Sequence, residues 1–91
     1  MTIDEAIRVV SIVALADHPP FSVVNSRFEF QPLPLEEVIA SAKVVGRAGE
    51  LEAKYFDHPL NWVIDVTYAD RGWGARYEVG PHTPQPICWA D

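Results

Sequence analysis

Trp62-Val63-Ile64-Asp65-Val66-Thr67-Tyr68, followed by Asp70-Arg71-Gly72-Trp73-Gly74 and then Ala75-Arg76-Tyr77-Glu78-Val79, decides the fold class of this chain. Trp62, Ile64, Val66 and Tyr68 alternate with Val63, Asp65 and Thr67, the period of two that puts successive side chains on opposite faces of a strand. Ala75, Tyr77 and Val79 repeat the pattern after a turn whose glycines permit the left-handed angles of a tight tip. Two strands joined this way predict an antiparallel meander. Upstream, Leu51, Ala53 and Tyr55 alternate with Glu50, Glu52 and Lys54, so residues 50–56 read as a third strand, connected to Trp62 through Asp57-His58-Pro59-Leu60.

The first half of the chain reads as helical at both ends of an extended segment. Thr2 followed by Glu5 is a capping box, so a helix starts at Ile3 and stops before Pro19-Pro20. Its apolar arc is wide, because Val9, Ile12 and Leu15 adjoin the stripe of Ile3, Ala6, Ile7, Val10, Val13 and Ala14. Phe21 to Phe30 reads as a strand with a bulge or turn at Asn25-Ser26, Phe28 and Phe30 alternating with Arg27 and Glu29. Pro34 then opens a second helix with Glu36 and Glu37 in its first turn, Leu35, Val38, Ile39, Ala42 and Val45 as its buried stripe and Gly46 as its cap. Together these predict an α+β domain of order αβαβββ: two helices on one face of a mainly antiparallel sheet of about four strands. Residues 1–80 form the domain. Pro81, Pro84 and Pro86 mark 81–91 as a proline-rich tail of polyproline type docked on it.

Composition narrows the function classes. A chain of 91 residues makes one domain, and its three tryptophans, three tyrosines and four phenylalanines suffice for a packed core. Cys88 is the single cysteine, which excludes an internal disulfide, and the apolar run from Val9 to Ala16 is too short to span a bilayer. A cytoplasmic location follows as the expectation. Thirteen acidic against seven basic side chains give a net charge of −6, which disfavours phosphate-backbone binding and suits a partner protein with a basic surface.

The tripeptide Asp-His-Pro occurs twice, at 17–19 and 57–59, each time as a chain reversal before an apolar run. Convergence of His18, His58, Asp17 and Asp57 would make a zinc-type ligand set, but the spacing is not that of a metal motif. No cofactor is expected, and purified protein should carry no stoichiometric zinc. His82 with Cys88 is the corresponding base and nucleophile pair of a cysteine enzyme, near a chain end beside Trp89. Phosphate loops, dinucleotide fingerprints, nucleophile elbows and Cys-x-x-Cys pairs do not occur. The function expected is therefore a non-catalytic acidic binding module, of the inhibitor, immunity-protein or adaptor kind, with Trp73, Arg71, Glu50 and Glu52 as contact residues. The alternatives are a small hydrolytic or metal-dependent enzyme built on the His-Asp turns and a structural subunit whose broad apolar helix is completed by a homo-oligomer.

Overall fold

The computed structural model describes residues 1–17, 21–24, 27–30, 34–51, 58–67 and 74–89. Helix α1 runs Ile3–Asp17, strand β1 Phe21–Val24, β2 Arg27–Phe30, helix α2 Leu35–Ser41, β3 Ala42–Arg47, β4 Trp62–Thr67, β5 Gly74–Gly80 and β6 Thr83–Trp89, with a 3-10 turn at Ala48–Glu50. The fold is α+β: both helices lie against a four-stranded antiparallel sheet of order β3-β4-β5-β6, while β1 and β2 pair only with each other.

The alternation in β4 and β5 translates directly into layers. Trp62 pairs with Val79, Ile64 with Tyr77 and Val66 with Ala75, so these residues share the face that meets the helices. Ala42 and Val44 extend that face from β3, and Ala6, Val10 and Ala14 of α1 with Val38 of α2 close over it. α1 begins where the capping box places it, with the Glu5 amide donating to Thr2 Oγ1 at 3.2 Å and the Ala6 amide to the Thr2 carbonyl. Its wide apolar arc is only partly used. Ala6, Val10, Ser11 and Ala14 are buried, and Ile12 remains exposed. The Ser11 hydroxyl donates to the Ile7 carbonyl at 2.7 Å, which is how a serine fits in this core.

Four sequence readings are corrected. The second helix does not continue through Ala42 and Val45 to a cap at Gly46: it ends at Ser41, and Ala42 turns to extended geometry with φ −81° and ψ 130°. Val44 and Val45 are β-branched and prefer the pleated surface, and pairing with β4 places Ala42 and Val44, half-buried, on the core face. Gly46 sits at a bulge, where the β3–β4 register shifts between Val44 and Gly46. The partner of β4 is consequently β3, not a strand at 50–56; Glu50 belongs to the 3-10 turn and 52–57 lie outside the described residues. Phe21–Phe30 is not one irregular strand but two, facing each other across 25–26. Nor is 81–91 a polyproline tail, since Thr83–Trp89 is a full strand of the sheet. Its prolines are accommodated because β6 is an edge and because Pro84, Gln85 and Pro86 fall in the register shift opposite Val79, where no ladder amide is required of them.

No helix among the described residues is long and apolar enough to cross a membrane.

Candidate functional site

Three features of the described residues are candidates for function. The first is the β1–β2 ribbon. Its register sets Phe21 opposite Phe30 and Val23 opposite Phe28, so four apolar residues occupy positions on one face, with Ser22, Glu29, Val24 and Arg27 at positions on the other. The ribbon is a sheet of its own.

The second is the end of the main sheet where β4 starts and β5 turns into β6. Asn61 is fully buried, and its amide nitrogen donates to Glu78 Oε2 at 2.6 Å and to Thr83 Oγ1 at 2.8 Å. A carboxyl group can lie at 0% exposure in the sheet because this donor meets it there. The Asn61 backbone amide donates to the His58 carbonyl at 3.1 Å, closing the turn His58-Pro59-Leu60-Asn61. Asn61 therefore ties that turn to the Gly80-Pro81-His82-Thr83 turn, and the rings of His58 and His82 face each other with centroids 4.7 Å apart and planes 29° from parallel. Arg47 braces the same end, lying over the Trp62 ring at 3.5 Å and donating to the Leu60 carbonyl.

The third is the helix-free face of the sheet, where Lys43, Asp65, Arg76 and Trp89 form one row across four strands. Arg76 grips Asp65 with two parallel bonds, Nε to Oδ1 at 2.8 Å and Nη2 to Oδ2 at 3.1 Å. The cavity beside the pair, lined by Asp65, Val66, Thr67, Gly74, Ala75 and Arg76, holds about 190 Å³. That is below the several hundred Å³ usual for a small-molecule site, about 300 Å³ at the least. With the Arg76 and Asp65 side chains 35% and 41% exposed, Asp65→Asn is expected to change stability by no more than about 0.5 kcal/mol in urea unfolding. A loss above about 2 kcal/mol would instead mark the pair as a fold-organising contact.

The residues singled out in the sequence are only partly brought together. Glu50 is exposed at the 3-10 turn, and its carboxylate accepts from the Arg47 amide at 3.4 Å, a local cap. Asp17 is exposed at the end of α1. Trp73, Arg71, Glu52, His18 and Asp57 lie outside the described residues. The ring beside His58 is that of His82, and His82 does not stand as a base beside Cys88, which is exposed towards the other end of β6 opposite Tyr77. Among the described residues no group of three or more His, Cys, Asp and Glu side chains converges. Sequence reading missed Asn61, Glu78 and Thr83 as a unit. A polar residue directly before an apolar strand reads as turn chemistry, and nothing local reports that a carboxyl group seventeen positions away is to be buried against it.

No family model, curated protein or solved structure matches the chain.

Proposed function

We propose that the protein is a non-catalytic binding module that acts by occupying a surface of another protein, as inhibitors, immunity proteins and adaptors do. The observation that carries this reading is the β1–β2 ribbon, a separate two-stranded sheet with Phe21, Val23, Phe28 and Phe30 at positions on one face. A two-stranded ribbon is marginally stable in water, and a row of aromatic positions on it gains stability when a partner covers it. Phenylalanine-sized anchors supply most of the buried area at such contacts. A net charge of −6 adds attraction to a partner with a basic rim, mainly through the association rate. Trp73 and Arg71 at the 70–74 turn, with Glu50 and Glu52, are the second contact region, and a cytoplasmic setting suits a chain with one cysteine.

The test replaces Phe28 by a photo-reactive phenylalanine analogue in the native host and identifies the cross-linked protein. The affinity of that protein is then measured for Phe28→Ser/Phe30→Ser and for Trp73→Ala, after circular dichroism has shown that each still folds. Loss of at least about 2 kcal/mol on the ribbon variant, with binding by the parent chain weakening as salt rises, is the expected result. Unchanged affinity removes the ribbon from the contact. A cross-link only to a second copy of the chain, with a dimeric mass in solution, replaces the module by a self-assembling subunit.

A further inference from the structure

His58 and His82 come from turns more than twenty residues apart, yet the backbone of each turn is held so that the two imidazoles meet. Pro59 follows His58 and limits the first turn, whose ends are closed by the Asn61 amide on the His58 carbonyl at 3.1 Å. Gly49 packs so closely beneath Pro59 that a Cβ at Gly49 would stand 2.6 Å from the proline Cβ. Pro81 does the same for the second turn, between Gly80 and Thr83, which pair across it. The Asn61 side chain then bonds Thr83 Oγ1 at 2.8 Å and joins the two turns. The rings meet at 4.7 Å on the surface, His82 exposed and His58 half-buried.

We propose that His58 and His82 form a two-imidazole site for a divalent transition metal of the Zn²⁺, Ni²⁺ or Cu²⁺ class, water completing the shell. Imidazole nitrogen suits these ions and not Mg²⁺ or Ca²⁺, which take oxygen ligands. The separation fits. With the metal about 2.1 Å from each coordinating nitrogen, two neighbouring imidazoles of a tetrahedral or octahedral shell have centroids roughly 4.5–5.2 Å apart. The observed 4.7 Å falls inside that range; the rings now face each other with planes 29° apart, so each must turn out of the stack to aim a nitrogen at the shared ion. Two protein ligands instead of three or four make the site weak, which agrees with the expectation that purified protein carries no stoichiometric zinc. Metal binding would clamp the β3–β4 connection to the β5–β6 turn.

The experiment titrates the full chain with Zn²⁺, and separately with Ni²⁺, while following the imidazole proton signals of its three histidines by NMR. His58 and His82 are expected to respond together and to saturate at one equivalent, with His18 unaffected and Mg²⁺ in excess causing no change. Either His58→Ala or His82→Ala should weaken binding by at least about tenfold while circular dichroism stays that of the parent. Three histidines responding independently, or single variants that bind as well as the parent, would overturn the site. Should a variant fail to fold, the joint or separate response of the two signals in the parent chain still decides.

Discussion

Asn61→Leu is expected to destabilise the domain by about 3 kcal/mol or more, because it removes two hydrogen bonds and leaves a buried carboxyl group without a donor it now has. Against a total of roughly 5–14 kcal/mol for a domain of this size, that is a large fraction. The cause is positional. Glu78 and Asn61 are both at 0% exposure, so solvent does not reach the carboxyl group without opening this end of the sheet. The pairing can be separated from general packing by a double-mutant cycle with Glu78→Leu, in urea unfolding followed by circular dichroism. The double variant should lose clearly less than the sum of the singles, since two apolar groups in contact no longer set a polar group against an apolar one. Additive losses, or an Asn61→Leu cost below about 1 kcal/mol, would show that the carboxyl group does not depend on Asn61. The backbone leaves little slack for any rearrangement here: a Cβ at Gly80 would stand 2.3 Å from Asn61 Oδ1 and 2.8 Å from its Cα.

Tyr77→Ala is the second large effect, with an expected cost of about 3–5 kcal/mol. Tyr77 is the largest fully buried side chain among the described residues, opposite Ile64 on β4 and in one core with residues of α1 and α2. Removing the ring leaves a cavity between sheet and helices that neither layer can close, since both are held by their own backbone hydrogen bonds. The measurement is the urea midpoint with the slope m monitored, an unchanged m identifying a loss of stability alone. Arg76→Ala, one residue away on the helix-free face, serves as the contrast. If Tyr77→Ala costs no more than Arg76→Ala, α1 does not seat on β5.

What the sequence determined by itself was the local grammar. The capping pair Thr2 and Glu5 and the prolines at 19 and 20 set the limits of α1, because caps and proline act through groups three or four residues away. Period-two alternation from Trp62 to Thr67 and from Ala75 to Val79 set both strands and their core faces, because a pleat needs no distant information to alternate. The α+β class followed. Only the tertiary structure decided that Ala42-Lys43-Val44-Val45 leaves the helix, since the same residues satisfy a helical stripe and a strand, and pairing with β4 selects the strand. It likewise made Thr83–Trp89 a strand despite two internal prolines, because an edge with a register shift asks nothing of their missing amides. The candidate sites belong to the same category. Asn61, Glu78 and Thr83, and His58 with His82, are far apart in the chain, and only the register of β4, β5 and β6 brings them together at one end of the sheet.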